Sequence, residues 1–100
     1  MKTQHASRGM SFETYAENFQ DTQGREIRRG NLSQGQVYED KRKLDSDVLP
    51  YLGSYSVRKV DYNLVDRFID DLISERDLSA STLKKYVILI RKVLKEAERD

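Results

Sequence analysis

Residues 81–97, STLKKYVILIRKVLKEA, form the longest periodic run in the chain, and they read as a helix. Leu83, Val87, Ile90, Leu94 and Ala97 recur at helical spacing as one apolar stripe, widened by Tyr86 and Val93. A helix with such a stripe must bury it against other elements, so this segment demands partners. The same register sets Lys84, Lys85, Arg91, Lys92 and Lys95 on or beside the outer face, with Arg99 just beyond. The stripe closes a core. What the cations on the other side meet, water or a polyanion, depends on the rest of the chain.

Three further helices can supply the core. Ser11 can N-cap the first, where Phe12, Tyr15, Ala16 and Phe19 follow at i, i+3, i+4 and i+7. That helix is expected to end near Gly24, and GREIRRGN reads as a loop bounded by Gly24 and Gly30. Ser33 and Gln36 have the spacing of a capping box and open the second helix, with Val37, Leu44 and Val48 as its stripe and Tyr38 alongside. Gly35 weakens its first turn by up to roughly 1 kcal/mol. Pro50 is expected to stop it, because a proline disfavours helical geometry at the preceding residue. In the following turn Leu52 packs back and Gly53 supplies a tight bend.

Asp61 caps the third helix, which sets Val65, Phe68, Ile69, Leu72 and Ile73 on one side. Its outer face is Asp66, Arg67, Asp70, Asp71 and Glu75. Ser79 or Ser81 caps the fourth. Nothing alternates with period 2 over a convincing length. The expectation is an all-α, compact four-helix bundle over residues 11–98, preceded by a flexible tail or linker over 1–10.

Composition removes several function classes. A chain of 100 residues makes one small domain, or a piece of a larger protein. There is no Cys, so disulfides and thiolate metal sites are excluded. The longest apolar run, Val87 to Ile90, is far short of the roughly 20 residues that a spanning helix needs, so no membrane is expected as partner. The first nine residues lack the apolar core of a secretory signal, which makes a cytoplasmic protein the expectation. His5 is the only histidine and sits in the tail, so no metal site, cofactor or catalytic base is expected. Asp70 and Asp71 are adjacent, point different ways on a helix, and read as part of a solvated acidic face.

The net charge of +1 conceals blocks. Residues 24–43 carry six cations against three acids, residues 61–78 carry two against six, and residues 79–100 carry six against three. Two basic blocks therefore flank an acidic one. Lys41, Arg42 and Lys43 belong to the second helix, and Arg25, Arg28 and Arg29 to its approach. Ser33, Gln34 and Gln36 gather at the start of the second helix, and Ser81 and Thr82 at that of the fourth. Free N–H groups and short polar side chains at such starts can meet phosphate oxygens, and Gln can read adenine edges.

The order of these features resembles the core-binding domain of tyrosine recombinases, the phage integrase family. The resemblance rests on SFETYAENF, then a basic loop, Ser33 with Tyr38, Pro50-Tyr51-Leu52-Gly53, Val60-Asp61, and Ser81-Thr82 running to Ala97. It covers about residues 11–98. It implies a SAM-like bundle that clamps one face of a double-stranded recombination half-site. The second and fourth helices would lie toward the major groove, and the acidic third would face away. Gln36 departs from the family, where many members have Thr.

The resemblance gives a set of DNA-contacting candidates. They are Ser81, Thr82, Lys84, Lys85, Arg91 and Lys92 on the fourth helix, and Arg28, Arg29, Ser33, Gln34, Gln36, Lys41 and Arg42 on the second and its approach. It also implies other recombinase protomers as partners of the full-length protein, and a separate catalytic domain that would follow Asp100. By itself the domain is expected to be monomeric. The rival expectation is an interaction module that self-associates through its acidic third and basic fourth helices. The one His-x-x-Arg spacing, His5 to Arg8, falls in the expected tail, and Tyr86 falls on the inner edge of its helix, which suits a core residue rather than a nucleophile. The chain itself should therefore neither cleave nor rejoin DNA. Incubation with a nicked duplex should leave no covalent protein–DNA adduct on a denaturing gel, and an adduct would overturn this reading.

Overall fold

The computed structural model describes residues 10–98. His5, Arg99 and all of the expected tail except Met10 lie outside the described residues. Helix α1 (Phe12–Arg28) starts at Ser11, whose hydroxyl accepts a hydrogen bond from the Thr14 N–H at 3.3 Å. Its start is fastened to the loop opposite, where Phe12 N–H donates to the Tyr55 carbonyl and Val57 N–H to the Met10 carbonyl, both at 2.9 Å.

The helix does not stop at Gly24. It runs on to Gly30, which holds φ at 82°. There Gly30 N–H returns to the Ile27 carbonyl and Asn31 N–H to the Glu26 carbonyl, which satisfies the last turn. Gly24 lacks this left-handed backbone, and a glycine inside a helix costs only about 1 kcal/mol. Most of the expected loop GREIRRGN is thus helix, with Arg28 in the last turn and Arg29 as the C-cap.

Helix α2 (Gln34–Lys43) begins at Ser33, whose hydroxyl accepts from the Gln36 N–H at 3.2 Å. It continues through a π turn (Leu44–Val48) into the short α3 (Leu49–Leu52), all in right-handed helical backbone. Pro50 does not end this rod. Leu49 N–H bonds to the Leu44 carbonyl, five residues back, which widens the helix just ahead of the proline ring. Pro50 then occupies the first turn of α3, where its missing N–H is least costly. Gly53 keeps a helical φ of −60°. A Cβ there would lie 2.6 Å from the Leu49 carbonyl oxygen, so close approach, not a special bend, requires glycine.

Helix α4 (Tyr62–Glu75) is capped by Asp61, whose carboxylate accepts from the Leu64 N–H at 2.9 Å. Helix α5 (Ala80–Glu98) is capped by Ser79, not Ser81: the Ser79 hydroxyl accepts from Thr82 N–H at 3.2 Å. With the α2–π–α3 rod counted once, four helices among the described residues make the all-α fold, and α1 packs along α5.

The core draws on every rod, with Phe12, Tyr15 and Ala16 of α1 meeting Leu44, Val48 and Leu52. On α5 the deepest residues are Tyr86, Leu89, Ile90 and Val93, while Leu83, Val87, Leu94 and Ala97 are half-buried. The stripe is thus rotated toward Leu89, away from the line of Leu83, Val87 and Leu94 that the spacing predicts. On α4 it centres on Leu64, Phe68 and Leu72, and Ile73 is 49% exposed rather than in the core. Tyr38 likewise points away from the core, at 65% exposure.

Polar ties fix how the rods cross. Asp47, carried inward by the π turn, accepts from the Tyr86 hydroxyl and from the Arg76 guanidinium, each at 2.5 Å. Tyr86 meets Phe68 edge to face at 6.1 Å, and Phe68 meets Tyr51 the same way at 5.2 Å. The Tyr51 hydroxyl donates to Asp71. On the other side of the rod, buried Gln23 of α1 donates to buried Asp40 at 2.9 Å.

Asp47→Ala should therefore destabilise the domain by about 1–3 kcal/mol, since it strands the buried Tyr86 hydroxyl. Tyr86→Phe should cost less, about 1 kcal/mol, because Asp47 keeps Arg76. Urea melts followed by circular dichroism check both, and equal losses would contradict the hub. Burial, then the hydrogen bond to Asp47, push the Tyr86 hydroxyl above its ordinary pKa of 10.0. Tyr51 is raised as well, chiefly by its hydrogen bond to Asp71. A group with a raised native pKa loses its contribution as pH climbs through that value. Stability should hold below pH 10 and fall above it, and less steeply in Tyr86→Phe.

Candidate nucleic-acid interface

The α2 rod and α5 diverge around a groove of about 480 Å³. The N-terminal part of α2 contributes Ser33, Gly35, Gln36 and Glu39 to one wall, with Asp40 and Lys43 deeper in. Lys85, Ile88, Leu89 and Lys92 of α5 form the other wall. Four of the sequence candidates, Ser33, Gln36, Lys85 and Lys92, thus come together across one cleft. The Ser33 hydroxyl is engaged in capping.

The other candidates are distributed around it. Lys84 is exposed next to Lys85, and Ser81 is exposed in the first turn of α5. Thr82 is half-buried, with its hydroxyl accepting from Ser79 at 3.0 Å. Arg91 lines a different groove, between α4 and α5, beside Asp61 and Asp66. Gln34, Lys41 and Arg42 are exposed on α2 but do not line the cleft, and neither do Arg28 and Arg29 at the end of α1.

Charge pairing separates the two basic blocks. On α2, Arg42 and Lys43 both reach Glu39, at 3.0 and 3.7 Å, and Lys41 reaches Asp45 at 2.7 Å. Arg29 reaches Glu26 at 3.3 Å. The hydrogen bond from Arg42 and then its charge hold Glu39 below its ordinary pKa of 4.5, so it stays ionised at neutral pH. The Lys43 side chain is buried, with its nitrogen 5.8 Å from the centre of the Tyr86 ring.

Lys84, Lys85, Arg91, Lys92 and Lys95 have no ion-pair partner among the described residues. Four of the six cations of residues 24–43, Arg29, Lys41, Arg42 and Lys43, are thus held by nearby acids, whereas those of α5 have no such acid beside them among the described residues. Glu39 and Ile88 are groove residues that the charge blocks and stripes do not mark, and Lys43, expected with Lys41 and Arg42 on the outer face of its helix, is instead buried at the groove. The three- and four-residue spacings of Glu39 to Arg42 and Lys43 carried the signal for that pairing.

Among the described residues no cluster of His, Cys, Asp and Glu could hold a metal ion, and no helix is long and apolar enough to cross a membrane. The family profile described as phage integrase SAM-like domain matches residues 11–100. No curated protein and no solved structure gives a significant match.

Proposed function

Since the chain belongs to the phage integrase SAM-like domain family, we propose that it is a DNA-binding module that grips a recombination half-site through the α2–α5 groove. The observation that carries this reading is that Lys85 and Lys92 of α5, with no ion-pair partner among the described residues, face across the groove to the start of α2. Lys85 and Lys92 contact phosphates on one wall, with Lys84 and Lys95 extending the charged face. Gln36 on the other wall offers an amide to base edges. Ser81 adds a hydroxyl at the start of α5, where free N–H groups favour an anion.

Arg42 and Lys41 act in the second rank, because Glu39 and Asp45 hold them in the free protein. Arg28, Arg29 and Gln34 stand outside the groove and contact only a duplex that extends past it. Arg91 belongs to the acidic side and contributes least. Strand cleavage and joining fall to a separate catalytic domain, and assembly with other recombinase protomers to the full-length protein.

The reading is tested by titrating labelled duplex DNA at several salt concentrations. With about four phosphates neutralised, log K should fall with log[salt] at a slope of roughly −3.6. Lys85→Glu with Lys92→Glu should abolish binding while the melting curve barely moves, since exposed substitutions shift stability by no more than about 0.5 kcal/mol. Glu39→Gln should do the opposite: it frees Arg42 and Lys43, tightens binding, and steepens the slope by roughly 1–2. A flat salt dependence in the parent would remove phosphate contact from the account. Sedimentation without DNA tests the rival, self-association through acidic α4 and basic α5. Dimers together with a flat DNA titration would favour it.

A further inference from the structure

Ile88 occupies an unusual position for an isoleucine. It is 42% exposed, although α5 already fills the core with Tyr86, Leu89, Ile90 and Val93. Folding does not ask for it: a β-branched residue on an open helical face is a poorer helix former than Ala or Lys. Exposed apolar residues are ordinary when they stand alone. Ile73 is one such case, on a helix whose outer face is acidic.

Ile88 differs in its neighbours. On the helix surface it is ringed by Lys84 and Lys85 one turn before it and by Arg91 and Lys92 one turn after. It also lines the groove, with Gln36 on the opposite wall. Residues 84 and 92 are about 12 Å apart along a helix axis, at 1.5 Å per residue. That matches the roughly 12 Å width of the major groove, so cations at both ends can reach phosphates while the position between them faces base edges. The chemical group there that suits an apolar tip is the 5-methyl of thymine. An amide such as that of Gln36 suits the N6 and N7 edge of adenine.

We infer that Ile88 is a specificity-determining residue that selects an A·T pair by packing on its thymine methyl. The inference rests on the DNA-binding reading above, with duplex DNA as the one occupant of this apolar spot, argued from the charge around it.

The test uses a pool of short duplexes with a randomised centre, from which the parent chain selects its preferred sequences. Each thymine of a selected duplex is then replaced in turn by uracil, which removes only the methyl. At one position the loss of the methyl should weaken parent binding roughly four-fold, the transfer value of one buried carbon. Ile88→Ala should bind the thymine duplex more weakly by a similar factor and no longer distinguish thymine from uracil. Ile88→Val should keep part of the discrimination. The melting curves of both variants should match the parent, because the site is exposed.

If Ile88→Ala still discriminates thymine from uracil, or the parent binds DNA without discriminating, the inference is overturned and the DNA-binding reading survives. If the parent binds no duplex in the pool, both are overturned.

Discussion

Asp47 holds the bundle's geometry in one carboxylate. It accepts from Tyr86 of α5 and from Arg76, which follows α4, so three rods meet at one side chain. A carboxylate this enclosed, with 12% of its side chain exposed, must have partners, because leaving it unpaired would cost far more than any one contact contributes. The π turn is what delivers it. A regular helix through Leu44–Val48 would advance Asp47 around the axis and would also drive Pro50 into the preceding turn. One local widening therefore serves two ends, passing the proline and fixing the crossing of α2 and α5.

The electrostatics of the groove follow from sequence spacing more than from charge count. Glu39 stands three and four residues ahead of Arg42 and Lys43, and Asp45 stands four residues after Lys41, so α2 neutralises its own cations. On α5 the only acids, Glu96 and Glu98, come at the end of the helix. Exposed pairs of the α2 kind add little stability. Their effect is on the field: two blocks of equal formal charge differ in what they can offer an anion. In the proposed complex α5 binds, and α2 contributes position, an amide and a reserve of charge released on contact with phosphate.

The four helices, three of the caps and the family were legible in the sequence because each is written in local periodicity and short-range spacing. Ser11, Ser33 and Asp61 cap their helices as their chemistry demands. The errors came where a nonlocal condition decided. Gly24 read as a stop, yet the stop belongs to Gly30, whose positive φ no composition reveals. Pro50 read as a breaker because a π turn has no sequence signature. The α5 stripe was set on Leu83, Val87, Ile90 and Leu94, whereas packing of α1 on one side and the Asp47 hub on the other turned it toward Leu89. That rotation put Lys85 and Lys92 on the groove wall and carried Arg91 toward α4. The partition of the cations was therefore not readable from the helix alone.

The central claim is that one face, the α2–α5 groove, meets DNA while acidic α4 does not. Amide chemical shifts of the labelled chain, recorded as duplex DNA is added, test it residue by residue. The account expects the largest changes at Ser33–Gln36 and along Lys84–Lys92, with Asp66–Glu75 unmoved. Changes concentrated on α4, or spread evenly over the surface, would contradict it.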